Sequence, residues 1–302
     1  MYQYPEHLTG EVANLPQRCG VYFFHGDNGT YPLYIGKSVN IRRRVQSHLR
    51  NPREARLLAA TRRITCIETV GEIGALLLES SLVKQQSPLY NKRLRKIRRL
   101  CALQVQDSQT RIVYSDALDF SRTPNLYGLF LRRAAAVDFL IDIADREQLC
   151  LTYLDIEKGR PGQPCFRHQL GKCAGVCCGK ETPQAHQSRL LGALEQAQVR
   201  HWPFPGRIAI EERQGPLKAF HVISNWFYLG TAPSLDAAEK LSFPADEFDR
   251  DCYRILCRRL FHESREHIHL IDTPCPLRKR VQPVTISLSI SILQGMGGKR
   301  SR

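Results

Sequence analysis

Gly20-Val21-Tyr22-Phe23-Phe24-His25-Gly26-Asp27-Asn28-Gly29-Thr30-Tyr31-Pro32-Leu33-Tyr34-Ile35-Gly36-Lys37-Ser38 is the stretch that decides the fold. Its opening run of valine and aromatics favours a strand. His25 to Thr30 is turn chemistry, and Tyr31 to Ile35 returns as a second strand. Pro32 sits near the strand start, where a missing N–H is tolerated. The resulting hairpin places Tyr22 and Tyr34 on adjacent strands. Gly36-Lys37-Ser38 then turns into a helix that Asn40 can cap.

On that helix Ile41, Val45 and Leu49 form one apolar stripe. At about 100° per residue, Arg44 and His48 fall along the border of the stripe, while Arg42 and Arg43 face solvent. A third strand near Ile64–Val70 leads to a helix from Glu72 to Val83 that is apolar on nearly all sides. Glu79 lies between Leu76 and Leu82 around its circumference. A carboxylate there is costly to bury unless it meets a cation or a metal. Pro88 ends the element, and Asn91 precedes the basic run Lys92–Arg99. Singly, Tyr22 and Tyr34 read as strand aromatics, Arg44 as a surface cation and Glu79 as an exposed helix residue. Their joint order departs from chance.

The charge points the same way. The 302 residues carry a formal net charge of +15. Between Lys37 and Arg99 there are sixteen Lys/Arg against four Asp/Glu, so this segment holds most of the excess. A concentrated positive field suits a polyanion, and nucleic acid is the first candidate. No stretch approaches the roughly 18 consecutive apolar residues of a membrane span. Met1 to Gly10 lacks a basic segment followed by an apolar one, so no signal peptide is expected and the chain is read as cytoplasmic. Eleven cysteines are then expected to serve metal or redox chemistry rather than disulfides.

Cys150 is followed by Cys165, Cys173, Cys177 and Cys178, with spacing C-x14-C-x7-C-x3-C to Cys177. The intervening loops are rich in Gly, Pro and Arg. Four thiolates so close in sequence can close around a metal, since only loops need fold to join them. Scattered small hydrophobes would be the bland reading. The paired CxxC ligands of a typical zinc site are absent, and a four-cysteine iron–sulfur cluster tolerates irregular spacing. Further on, Leu190, Leu191, Leu194 and Ala197 mark an amphipathic helix. A hairpin is expected from Ile208–Glu212 and Ala219–Leu229, and a last helix from Glu247 to His262. Trp226, Phe227 and Tyr228 either stack on bases or fill a core, the latter being commoner. Composition thus divides the chain into residues 1–100, a cysteine region 101–180, a third region 181–272 for partner or DNA contact, and a flexible tail 273–302. The fold class expected is α/β of the α+β kind. It comprises a small mixed sheet flanked by helices, then the cysteine region, then a smaller α+β region.

Gly20-Val21-Tyr22 and Tyr34-Ile35-Gly36, with Arg44, Glu79 and Asn91 at matching intervals, resemble the signature of GIY-YIG nucleases. The tract Pro32–Arg42 is similar to the excision-repair group of UvrC type, in particular its shorter Cho branch, and the likeness runs over roughly residues 4 to 265. The resemblance implies phosphodiester hydrolysis with one divalent ion. Glu79 would bind Mg²⁺ or Mn²⁺, and Arg44 would stabilise the charge of the transition state. Tyr22 or Tyr34, helped by Lys37, would accept a proton from the attacking water. Asn91 would position phosphate or support the site. His48 stands where UvrC proteins commonly carry a tyrosine, which leaves its role open.

In the basic belt, Arg42, Arg43, Lys92, Arg93, Arg95 and Lys96 are expected to meet DNA. The segment Pro164–Cys177 also resembles UvrC, which implies a [4Fe–4S] cluster on Cys150, Cys165, Cys173 and Cys177, with Cys178 the competing ligand and zinc the alternative occupant. The substrate and partner implied are damaged double-stranded DNA and UvrB, with one cut 3′ to the lesion and no membrane role. Two other readings compete: an inactive DNA-binding adaptor, and an iron–sulfur redox or iron sensor tethered to DNA. The intact Tyr22, Tyr34, Arg44 and Glu79 argue against the adaptor.

Overall fold

The computed structural model describes residues 4–271 apart from 28, 30, 93–98, 107–108, 161, 242–247 and 263–265. A short helix α1 (Thr9–Ala13) precedes strands β1 (Gly20–His25) and β2 (Pro32–Ser38). Helices α2 (Ile41–Leu49) and α3 (Ala55–Ala60) then return the chain to strand β3 (Arg63–Glu68), and helix α4 (Glu72–Gln86) follows. The sheet order is β2-β1-β3. Both pairings are antiparallel, so the sheet expected to be mixed is antiparallel instead. The reason is the path: β1–β2 is a hairpin, and α2 and α3 bring β3 to the other edge of β1 in the reverse sense.

Each face of this sheet has its own helix. Asn40 caps α2 through its side-chain oxygen, which accepts the Arg43 N–H at 3.0 Å. That helix turns Ile41, Val45 and Leu49 onto a core with Tyr22, Phe24 and Leu58. On the opposite face Val83 of α4 packs with Val21, Phe23 and Ile35. α4 ends at Ser87, which adopts the left-handed conformation immediately before Pro88.

Three further strands follow, β4 (Cys101–Gln106), β5 (Gln109–Tyr114) and β6 (Leu126–Phe130), in the order β5-β4-β6. Within β5, Arg111–Tyr114 is the stretch whose sequence favours a strand, whereas β4 and β6 carry no such signal. β4 is buried on both faces, so its sequence lacks the alternation that marks a half-exposed strand. Helix α5 (Arg133–Arg146) covers this sheet, and a four-residue helix α6 (Phe166–Gln169) lies within the cysteine loop. Helix α7 (Pro183–Leu194) packs Leu190 and Leu194 against Leu140 and Ile143 of α5. α7 therefore shares the core of the middle sheet.

The third sheet contains β7 (Ile208–Gln214), β8 (Leu217–Ser224), β9 (Phe227–Ala232) and, after helices α8 (Leu235–Glu239) and α9 (Arg250–His262), β10 (Ile268–Leu270). Its order is β10-β7-β8-β9. The expected strand Ala219–Leu229 is two strands. Asn225 and Trp226, both at positive φ, make a tight turn between them. A tryptophan is a costly choice there, but its ring is wholly buried between Trp202, Tyr253 and Phe261. Tertiary packing outweighs local preference, and Trp226 is a core residue. One face of this sheet packs on α9 and also on Ile73 and Leu77 of α4. α4 is thus held between two sheets.

Candidate active site and thiol cluster

The hairpin register sets Tyr22 opposite Gly36 and Tyr34 opposite Phe24. A Cβ at position 36 would fall 2.5 Å from Tyr22 Cζ, so only glycine lets the phenol ring lie across β2. The two tyrosine rings come to 6.2 Å between centroids. His48, one turn below Arg44 on α2, inserts between them and is only 4% exposed. Its ring meets Tyr22, Phe24 and Tyr34 edge-on at 5.4–5.6 Å.

The Tyr22 hydroxyl lies 2.6 Å from His48 Nε2, and His48 Nδ1 contacts Glu54 Oε2. A carboxylate accepts only, so it selects the tautomer with the proton on Nδ1 and leaves Nε2 to accept from Tyr22. Burial holds the His48 pKa below its ordinary value, and Glu54 opposes that shift. Glu54 was not read from the sequence. Its signal was present: Asn51-Pro52-Arg53-Glu54 has a capping residue, a proline at the first helical position and a Glu three residues on. Asn51 Nδ2 donates to the other Glu54 oxygen at 3.0 Å, which fixes the carboxylate.

Burial also raises the Tyr22 and Tyr34 pKa values. The Arg44 guanidinium hydrogen-bonds Tyr22, and that bond is the main cause of its own raised pKa. Across the hairpin, α4 presents Glu79 to β2. Burial pushes its carboxyl up to about 7, against the opposing pull of Lys37, whose backbone N–H it accepts. Lys37 reaches the site, but its ammonium lies on Glu72 Oε1 at 2.6 Å. Asn91 supports the site through the backbone: its Oδ1 accepts the Ile35 N–H at 2.9 Å and its Nδ2 donates to the Ile35 carbonyl at 2.8 Å. Both groups of the residue between Tyr34 and Gly36 are thereby pinned.

The expected DNA contacts divide. Arg43 and Lys92 are exposed, whereas Arg42 Nε donates to the Leu15 carbonyl at 2.6 Å and is partly buried. Arg93, Arg95 and Lys96 lie outside the described residues, as does the tail after Thr273.

In the cysteine region, the sulfurs of Cys150, Cys165, Cys173 and Cys177 all lie within 4.8 Å of one another, and Cys150 and Cys173 are buried. Burial pushes the Cys150 thiol up to about 11. The Cys165 N–H points to Cys177 Sγ at 3.4 Å and the Gly175 N–H to Cys173 Sγ at 3.3 Å, contacts that favour thiolates. Cys178 turns aside, its sulfur directed at the Gly175 carbonyl. Among the described residues this quartet is the one group of three or more metal-type ligands. The set fits a thiophilic centre. A single tetrahedral zinc with sulfurs about 2.3 Å away would space them by ~3.8 Å, while a cubane, binding each thiolate to a different iron, spreads them further.

Family models match three successive parts of the chain: "UvrC-like GIY-YIG domain" over residues 18–92, "UvrC/Cho excinuclease, middle domain" over 100–196, and "Excinuclease Cho C-terminal domain" over 207–275. Excinuclease cho of Salmonella typhimurium is 50% identical over 275 residues, which is 91% of this chain and 94% of that protein. The chain belongs to the UvrC/Cho excinuclease family. It is a DNA endonuclease of the excision-repair type with a GIY-YIG catalytic domain. Excinuclease cho of Escherichia coli is 50% identical over 266 residues, 88% of this chain and 90% of that one. UvrABC system protein C of Desulforudis audaxviator is 31% identical, over 63% of this chain and 31% of the longer protein. The GIY-YIG N-terminal endonuclease domain of UvrC from Thermotoga maritima, solved with its catalytic divalent cation magnesium, shows 28% identity over 28% of this chain and 97% of its own, with a TM-score of 0.26. Among the described residues of this excinuclease-family chain, no helix is long and apolar enough to cross a membrane.

Proposed function

We propose that this excinuclease-family protein is loaded by UvrB onto damaged duplex DNA and hydrolyses one phosphodiester 3′ to the lesion with a single divalent cation. One observation carries the reading. A tyrosine backed by a buried histidine–carboxylate pair, a guanidinium bonded to that tyrosine, and a desolvated carboxylate converge on one hairpin.

The chemistry follows from those groups. Tyr22 is the general base, because its hydroxyl is the one already joined to a proton acceptor. As it takes a proton from the attacking water, its own proton passes to His48 Nε2, and Glu54 stabilises the imidazolium that forms. This is the logic of a hydroxyl–imidazole–carboxylate triad, with the phenol as base in place of a nucleophile. Arg44, already at the phenol, stabilises both phenolate and phosphorane charge. Glu79 would hold Mg²⁺ or Mn²⁺. A carboxyl raised to about 7 by desolvation gains from a divalent cation what no lysine or arginine of the described residues supplies by direct ion pairing. The bound ion supplies Lewis-acid stabilisation of the departing oxygen. Tyr34 shapes the aromatic wall that keeps His48 dry, and Arg43 and Lys92 serve as phosphate contacts.

Cys150, Cys165, Cys173 and Cys177 bind a metal centre that orders the loop between α5 and α7. The resemblance favours [4Fe–4S], whereas four sulfurs all within 4.8 Å of one another lie nearer the spacing of zinc, the alternative occupant. The proposed domain plan is nuclease 1–100, a cysteine region from 101 that α7 extends beyond 180, a third region to 272 and a tail 273–302.

The test is incision of a duplex bearing one defined lesion, with UvrB and Mg²⁺ present. A single UvrB-dependent cut on the 3′ side, lost in Glu79→Ala, is expected. Equal cutting by wild type and Glu79→Ala overturns the site, and a cut independent of UvrB overturns the loading step.

A further inference from the structure

The helix that carries Glu79 has no cap of its own. α4 begins after Gly71, which offers no side chain to the free N–H groups of the first turn. Those groups are met from far along the chain. The Glu212 carboxylate of β7 accepts the Ile73 N–H at 2.9 Å and the Gly74 N–H at 3.0 Å. A negative group at that position also complements the helix dipole.

Glu212 is itself held. His221 Nε2 of β8 lies 2.9 Å from its second oxygen, and His221 Nδ1 lies 2.8 Å from Thr231 Oγ1, which the Tyr228 hydroxyl meets at 2.6 Å. His221 is 1% exposed. Gly74 makes room for it, since a Cβ there would fall 2.7 Å from His221 Cε1. The helix backbone therefore rests directly on the imidazole.

A second clamp holds the far end. Lys84 Nζ is bound by both Asp249 oxygens at 2.6 and 2.8 Å and by Asp251 at 2.9 Å, at the start of α9. Between the clamps, Ile73 and Leu77 enter the core of the third region. Glu79 is five residues from each of Gly74 and Lys84, roughly 8 Å along the axis. It is also about 200° around the helix from Leu77, hence on the side turned to β2.

We propose that Glu212, oriented by His221, is a positioning residue for nuclease activity: the third region sets the height and rotation of α4, and so places the Glu79 carboxylate against β2. This rests on the reading of Glu79 as cation ligand. A one-residue rotation of the helix would turn that carboxylate away from the hairpin, which a cap anchored in another sheet prevents.

The experiment uses the full chain and Mn²⁺ alone, with occupancy read by electron paramagnetic resonance beside thermal unfolding and duplex affinity. Glu212→Ala is expected to weaken Mn²⁺ binding about tenfold, the range found when groups that orient a metal ligand are lost. Duplex affinity stays unchanged. Glu212→Gln keeps an oxygen for the helix N–H groups, is expected to shift binding by less, and carries the test should the alanine variant not fold. Ser234→Ala removes the cap of α8 on the same sheet, where the hydroxyl accepts the Ala237 N–H, so it should lower the melting temperature and leave Mn²⁺ binding intact. Wild-type Mn²⁺ binding in Glu212→Ala, or an equal shift in Ser234→Ala, overturns the proposal. Mn²⁺ binding that is indifferent to Glu79→Ala overturns the reading beneath it, and the two failures are thereby distinct.

Discussion

Tyr22 and His48, 26 residues apart, share a 2.6 Å hydrogen bond inside an aromatic cage. The histidine comes from α2 and the tyrosine from β1, so the bond exists only once helix and hairpin have docked. On the proposed mechanism it joins the general base to the group that takes its proton.

His48→Phe keeps the ring volume in the cage and removes the acceptor. Incision should fall by about 10²–10⁴-fold, the usual contribution of a positioned proton acceptor, with duplex affinity retained. Tyr22→Phe should fall equally, and the double variant no further, since the pair acts as one unit. Single-turnover incision assays decide it, and additive losses would separate the two residues.

The pH profile carries the same relationship. His48 must be neutral to accept from Tyr22, and burial holds its pKa below the ordinary value of about 6.5. The acid limb of the incision rate at saturating Mg²⁺ should therefore lie below that value. Glu54→Gln removes the opposing influence, so the limb should move to still lower pH while the plateau rate drops. Linkage gives the sign for stability: a folded-state pKa below the unfolded one means the unfolded chain binds more protons. His48 stabilises the fold above about pH 6.5, and that contribution is progressively lost as pH falls through its folded pKa. Denaturant titrations of wild type and His48→Phe across this range should converge at acid pH.

Gly36→Ala puts a methyl group where the Tyr22 ring lies. The hairpin can still pair, because the backbone of β2 needs no unusual torsion at this position. The phenol must move instead. Displacement of about 1 Å at a reacting group can cost about 10²-fold, so incision should fall by that order with secondary structure unchanged by circular dichroism.

In the thiol cluster, Cys173→Ala should abolish bound metal and lower the melting temperature, while Cys178→Ala leaves both as in wild type. Metal analysis after anaerobic purification identifies the occupant. Iron with broad absorption near ~400 nm supports [4Fe–4S], and stoichiometric zinc in a colourless protein replaces it.

The reach of the sequence depended on how local each contact was. The hairpin, the cap at Asn40 and the side of α2 facing the core are set within a few residues, whereas the meeting of Tyr22 with His48 depends on how α2 docks on the hairpin. The four cysteines likewise converge because only loops and the four-residue helix α6 intervene. Glu54 lay beyond a turn whose direction periodicity does not report, although its capping pattern was legible. Glu212 lies 138 residues from Gly74, and no local rule links them. Trp226 in a left-handed turn contradicts its propensity, since a buried ring decides the backbone there.

α4 belongs to two hydrophobic cores at once, with Val83 in one and Ile73 and Leu77 in the other. Heat or denaturant cannot melt one without stripping a wall from its neighbour. The amino-terminal and carboxy-terminal sheets should therefore protect their amides from hydrogen exchange as a single cooperative block. If Glu212 positions α4 as proposed, a different carboxy-terminal fold joined to this nuclease domain would have to supply its own anchor for the first turn of that helix.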